Sequence, residues 1–180
     1  MTGRICFWPE PRYVTITYIS RKDGMTKSGS KINESLQQPL VRQFSVFLEN
    51  KVGALLDLTR TLSESNVHVC GISVVDTADA SVVRIVVDDP ERCHEALGKA
   101  GIPVNESSLV VVELPRGPEK LDTVLRGLVA AEVNIQYTYS LMVRPHDKAL
   151  LALHCEDSEF ARDVLVKEGH SVLSQRDISR

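Results

Sequence analysis

The chain has 180 residues, with 21 Lys and Arg against 24 Asp and Glu, a formal charge of −3 and 43% apolar residues. That length fits one medium domain or two small ones, and the balance lacks the basic excess of a nucleic-acid binder. Apolar runs fall far short of the roughly 18 residues of a membrane span, and no signal peptide opens the chain, so a cytoplasmic location is expected. Cys6, Cys70, Cys93 and Cys155 are scattered without a CxxC pair and read as reduced thiols. The neighbours Cys93-His94 and His154-Cys155 lack the repeated short spacings of zinc sites, so neither metal nor cofactor is expected.

Residues 1–40 form an extension unlike the rest. Tyr13 to Ile19 is β-branched and aromatic, as in a strand, and Ser20 to Pro39 reads as linker or disorder. Met25 offers a second start, which would make residues 1–24 an over-extended reading; a genuine extra strand pairing with a sheet edge is the alternative.

From Arg42 to Leu48 the sequence alternates, with Phe44, Val46 and Leu48 on one face and Phe47 on the other. A turn from Glu49 to Gly53 leads to a helix whose face is marked by Leu55, Leu58 and Leu62, and Asn66 ends it. Val67 to Val75 is a second strand, with Val67, Val69, Gly71, Ser73 and Val75 on one side. His68, Cys70, Ile72 and Val74 are on the other. A turn at Asp76 to Asp79 precedes a third strand, Ser81 to Asp88. Asp89 and Pro90 suit the cap and first turn of a second helix, which Gly101 terminates before an extended run opens at Val104.

The order then repeats. A strand at Leu109 to Leu114, a Pro115 to Pro118 turn and a helix marked by Leu121, Val124, Leu125 and Leu128 come first. Strands at Val133 to Val143 and Lys148 to Cys155, joined by an Arg144 to Asp147 turn, come next. A helix from Ser158 to Lys167, Gly169 and a last strand at Ser171 to Ser174 complete it. A shift of 66 positions pairs Leu48 with Leu114, Leu62 with Leu128 and Val67 with Val133. A period of this length marks a duplicated domain. Each half reads β-α-β-β-α-β, an α+β ferredoxin-like arrangement with two helices on one face of an antiparallel sheet. The divisions expected are 41–107 and 108–180. Halves of this size have small cores, and their outer strand faces are apolar, so mutual packing or dimerisation is expected to cover them.

The run from Phe44 to Leu55, followed by a helix and then Asn66-Val67-His68-Val69, resembles an ACT domain, and Val133-Asn134-Ile135 resembles the same family's second-strand start. The likeness covers residues 41 to about 177 and is closest to small tandem ACT proteins without an enzyme. The first strand and loop also resemble the regulatory subunit of acetolactate synthase. The resemblance implies a regulatory protein that senses a small molecule, commonly a free amino acid, at an interface between ACT domains. It further implies a homodimer or an enzyme partner. The implied ligand positions are Glu49, Asn50, Val52, Gly53, Ala54, Leu55, Leu56, His68 and Asn134. Their chemistry is apt. Gly53 lets a ligand approach the backbone, and free amides near Ala54 to Leu56 can receive a carboxylate. Asn50 can both donate and accept, unless it serves only as a helix cap. His68 stands where the family has Asn, and reads either as a ligand contact or as a strand start. The second half has Arg116 and Glu119 at the loop positions, so a site on the first loop is favoured. Tyr137 and Tyr139 read as packing residues.

Two other classes fit less well. No nucleophile–base motif, P-loop or HExxH is present, so no reaction is suggested. An RNA-recognition fold shares the element order but needs base-stacking aromatics, which Val82 to Val87 lacks.

Overall fold

Strand, helix, strand, strand, helix and strand follow one another twice in the computed structural model, which describes residues 39–76, 80–115 and 117–179. Cys6, Met25, the strand expected at Tyr13 to Ile19 and linker residues 20–38 lie outside them, as do turn residues Thr77 to Asp79 and Arg116. The first half comprises β1 (Val41–Glu49), α1 (Ala54–Glu64), β2 (Val69–Asp76), β3 (Ala80–Val87), α2 (Pro90–Lys99) and β4 (Val104–Leu114). The second reuses β4 and adds α3 (Leu121–Ala130), β5 (Ile135–Ser140), β6 (Ala149–Cys155), α4 (Ser158–Lys167) and β7 (Val172–Leu173). A short helix not foreseen from the sequence, α5 (Gln175–Ile178), follows.

The strands form one antiparallel sheet in the order β2-β3-β1-β4-β6-β5, with β7 also on β4. Two separate extended runs were expected at Val104 and at Leu109 to Leu114; they are one strand. Its residues 104–109 pair with β1 and residues 110–114 with β6. A boundary between residues 107 and 108 therefore falls inside β4. The cap expected at Asp89 is present, and the second half has a matching one not foreseen from the sequence. Asp89 caps α2 by accepting from Arg92 N at 3.0 Å, and Asp157 caps α4 by accepting from Phe160 N at 2.9 Å. Asn66 and Glu132, 66 positions apart, take matching left-handed conformations with φ of 55° and 56° where the first helix of each half ends.

Three cores result. Phe44, Val46, Val83 and Ile85 meet Leu58 and Leu62 of α1 and Leu97 of α2. Val110 and Val112 meet Val124 and Leu128 of α3 and Leu165 of α4. Each fully buried Leu contributes about 1.5–3 kcal/mol. Leu55, expected on the apolar stripe of α1, is exposed; only Leu58 and Leu62 of that helix are buried. The third core joins the helix-free faces of the two halves, with Val41, Val86, Leu109, Val111, Leu150 and Ala152 packed beside Tyr137 and Tyr139. The apolar outer strand faces thus cover each other. Gln43 lies fully buried on this face. Its amide donates to Tyr137 Oη at 2.7 Å and to Ser107 Oγ at 3.0 Å, and its oxygen accepts from Tyr139 Oη at 2.8 Å.

The simple alternation expected along β2 does not hold. A bulge between Val69 and Gly71 turns Cys70 into the core between the halves and sends Ile72, with Val67 and Val69, toward the helices. Gly71 lets the second half approach: a Cβ there would lie 2.3 Å from Leu141 Cδ2. Next door, Met142 N donates to Cys70 O at 2.8 Å. The strand expected to run from Val133 to Val143 is correspondingly only Ile135–Ser140.

The β5–β6 connection is held by a buried carboxylate. Glu113, 2% exposed, accepts from Lys148 Nζ at 2.6 Å and pairs with His146 Nδ1 at 2.9 Å. His146 and Asp147 have φ of 58° and 57°, a conformation that costs L-residues about 1–2 kcal/mol each. Burial alone would raise the Glu113 pKa, but hydrogen bonds from Lys148, His146 and Ser171 outweigh it and hold the group below its ordinary value.

Two outcomes are expected. Gly71→Ala overpacks the contact with Leu141 and lowers stability by about 1–3 kcal/mol. Combined with Leu141→Ala it costs less than the sum of the two changes, as read by urea denaturation. A depressed carboxylate pKa stabilises the fold above the unfolded value near pH 4.3 and loses that contribution as pH falls through the folded value. Glu113→Gln is therefore less stable than the parent at pH 7, and the gap between their urea midpoints narrows below about pH 4.3.

Candidate functional site at the first strand–helix loop

The loop from Glu49 to Gly53 is shaped by its own backbone. Lys51 N donates to Glu49 O at 2.8 Å, and Ala54 N donates to Lys51 O at 3.3 Å. Gly53 takes φ 94°, a left-handed conformation suited to glycine, and is the helix N-cap without any side-chain cap bond. The cap role open to Asn50 is thus filled by Gly53. The first regular bond of α1 is Asp57 N to Gly53 O at 2.9 Å, so the Leu55 and Leu56 amides precede the helix's own acceptors. They carry the positive end of the helix dipole. Ala54, expected to be free with them, is engaged.

Lys51 Nζ and a Glu49 carboxylate oxygen lie 2.8 Å apart at the surface. Their hydrogen bond holds Glu49 below and Lys51 above their ordinary pKa values, so both are charged near neutrality. Beside the loop is a cleft of about 270 Å³ between the end of β1, the first turns of α1 and the Gly101–Pro103 connection. Phe47, Leu48 and Ile102 give it apolar walls; Glu49, Lys51 and Asp57 give it charge. Phe47 is 53% and Leu56 54% exposed, and with Val52 and Leu55 they leave apolar surface around the loop.

The expected residues do not all converge. Glu49 and Ala54 line this cleft, and Asn50, Val52, Gly53, Leu55 and Leu56 belong to the same loop and helix start. His68 does not join them. β2 runs parallel to β1, so the start of β2 lies at the Val41 end of the sheet, while the loop leaves the Glu49 end. There His68 is tied to Asp88, which accepts from its backbone N and pairs with its Nδ1, both at 2.8 Å. Asn134 occupies the corresponding place in the second half. Its carbonyl accepts from Glu156 N at 3.2 Å, as that of His68 accepts from Asp88 N at 3.1 Å. The second half also enters its helix differently, through a 3-10 turn at Gly117–Lys120 that carries Glu119.

Phe47, Lys51 and Asp57 were not singled out from the sequence. Lys51 stood inside the quoted motif, and Asp57 lies one helical turn after Gly53, so both could have been found by projecting the helix start. Asp88 could not, because it meets His68 only through strand pairing. Burial pushes the Cys93 thiol up to about 12, leaving it unreactive. Among the described residues no three His, Cys, Asp or Glu side chains gather to hold a metal, and no helix is long and apolar enough to cross a membrane.

A ferredoxin-like fold repeated within one chain, with a glycine-led strand–helix loop in its first half, defines a paired α+β domain. The family model described as an ACT domain pair matches residues 40–180, and the chain belongs to that family. The crystal structure of protein BT0572 from Bacteroides thetaiotaomicron superposes with a TM-score of 0.73 at 28% identity, over 79% of this chain and 98% of that one. The ligand-free regulatory subunit of aspartate kinase from Thermus thermophilus has the same fold, with a TM-score of 0.51 at 15% identity over 72% and 92% of the two chains. No curated protein sequence matches the chain.

Gly53→Ala tests the loop geometry. A Cβ there meets nothing within 4 Å, so the cost is conformational alone. A loss of about 1–2 kcal/mol is expected, a fall of about 2–8 °C in melting temperature by calorimetry.

Proposed function

We propose that the chain is a non-catalytic regulatory protein that binds a free amino acid at the β1–α1 loop of its first half. The observation that carries this reading is the start of α1. Left-handed Gly53 opens α1, whose first-turn Leu55 and Leu56 amides have no acceptor within the helix, and the neighbouring cleft is lined by Ala54, Lys51, Glu49 and Asp57. A ligand carboxylate suits the amides and Lys51, and its ammonium suits Glu49 or Asp57. Membership of a regulatory family supports the same direction. In the second half Glu119 supplies a carboxylate of its own at the helix entry, which argues against a matching site there.

A second reading, control of an amino-acid biosynthetic enzyme such as acetolactate synthase, is favoured by one observation. Phe47, Val52, Leu55 and Leu56 expose apolar surface around the loop. A homodimer or an enzyme subunit would cover it, and a ligand seated there would bias that assembly. His68 and Asn134 would enter such a site only from another copy. Cys70, Cys93 and Cys155 are buried and in no disulfide, which suits the reducing cytoplasm.

The test is calorimetric melting of the full chain against each of the twenty amino acids. A ligand at 100 times its Kd adds about 2.7 kcal/mol, or about 5–10 °C for a chain of this size. One selective shift that Asn50→Ala abolishes is expected. A shift that survives Asn50→Ala and Lys51→Ala together sinks the loop as the site.

A further inference from the structure

β2 stands first in the strand order, and among the described residues no strand pairs along its outer side. The second half closes only its beginning, where Met142 N donates to Cys70 O at 2.8 Å and Leu141 stands against Gly71. Residues 72–76 lie beyond that contact. Here Val74 and Val75 are 49% and 46% exposed. They serve opposite faces of the sheet. Val74 stands across from Val83 on the helix side. Val75 stands across from Val82, and Val82 from exposed Phe47, so an apolar row on the bare face runs out to the edge. β2 contains neither Lys nor Pro, the residues that commonly blunt an open edge. Unpaired backbone groups flanked by apolar side chains on both faces are a template for a further strand.

We propose that this edge is the docking surface for the chain's own N-terminal extension, with residues 13–19 added as a strand beside residues 72–76. The side chains suit an edge that is apolar on both faces. In an extended chain Val14, Ile16 and Tyr18 fall on one side, and Tyr13, Thr15, Thr17 and Ile19 on the other. Charge favours the same occupant. Residues 1–38 hold 6 Lys and Arg against 3 Asp and Glu, or +3, and the remaining residues hold 15 against 21, or −6. The extension is therefore attracted to the fold, whereas a second copy of the fold would set −6 against −6. The tether is long enough. Between Ile19 and Val41 lie 21 residues, which at about 3.3 Å each span about 70 Å when extended. The edge is two strand spacings from β1, about 10 Å, and the length of β1 adds about 30 Å. The family match begins at residue 40, so such a strand is an addition to the shared fold. The proposal does not rest on the loop reading.

The experiment is amide hydrogen exchange of the full chain, followed by NMR at two protein concentrations. The β2 amides that point away from β3 are the ones an added strand protects. Slow exchange is expected at alternate residues of 72–76, with amide–amide nuclear Overhauser contacts joining them to residues 13–19. Val14→Asp together with Ile16→Asp should speed exchange at those β2 amides about tenfold, the scale of one net backbone hydrogen bond. Ile16→Val keeps a β-branched apolar side chain and should leave exchange slow. Protection of β1 and β3 should persist in every variant, because the substitutions lie outside the family fold. Fast exchange at residues 72–76 in the parent chain would overturn the proposal. So would protection that survives the double Asp variant; if that protection also rises with concentration, the edge belongs to a second copy of the chain.

Discussion

A β-strand has two faces that alternate residue by residue, and β4 imposes that alternation on both halves at once. Val104, Val110, Val112 and Leu114 face the helices, and Leu109 and Val111 face the core between the halves. Because the strand is uninterrupted, the helices of both halves are tied to one parity and the bare sheet faces to the other. The sheet must then bend so that its bare faces cover each other, or leave a large apolar surface in water. Everything at the junction follows from that choice: the bulge at Cys70, the missing side chain at Gly71 and the satisfied amide of Gln43. A one-residue slip along β4 would invert the pattern in both halves, so neither half can change register alone.

Much of this was legible in the sequence because it is local. The Asp89 cap, the buried Leu58 and Leu62 of α1 and the stripe of α3 each depend on residues within a few turns of one another, and the 66-residue repeat needs only comparison of the sequence with itself. What was not legible depends on strand partners. Asn105-Glu106-Ser107-Ser108 is polar enough to read as a break between strands. In the fold Glu106 joins Arg42 and His94 on the helix side, and Ser107 serves Gln43, so polar side chains cost nothing there. The bulge in β2 leaves no mark in composition, and simple alternation failed for that reason. Leu55 fits a helical stripe by spacing, yet it falls on the first turn, beyond the reach of the sheet.

The candidate site divides in the same way. Gly53 and its loop could be read directly, since the left-handed conformation and the exposed amides are properties of five consecutive residues. His68 was grouped with them by family pattern. Its real neighbour, Asp88, is supplied by β3, and the parallel course of β1 and β2 carries it to the far end of the sheet.

The short helix α5 closes a circuit that the repeat alone does not require. Gln175 Oε1 accepts from Arg42 N at 3.1 Å, and Gln175 Nε2 donates to Val87 O at 2.9 Å. Ser179 Oγ donates to Asp88 O at 2.6 Å. The ends of β1 and β3 are thus completed by groups from far along the chain, 133 positions from Arg42 in the case of Gln175. On the ribosome, the first half emerges with those strand ends still hydrogen-bonded to water. Its native pairing is finished only when the second half has been made and folded back on it, so the two repeats mature together rather than as beads on a string.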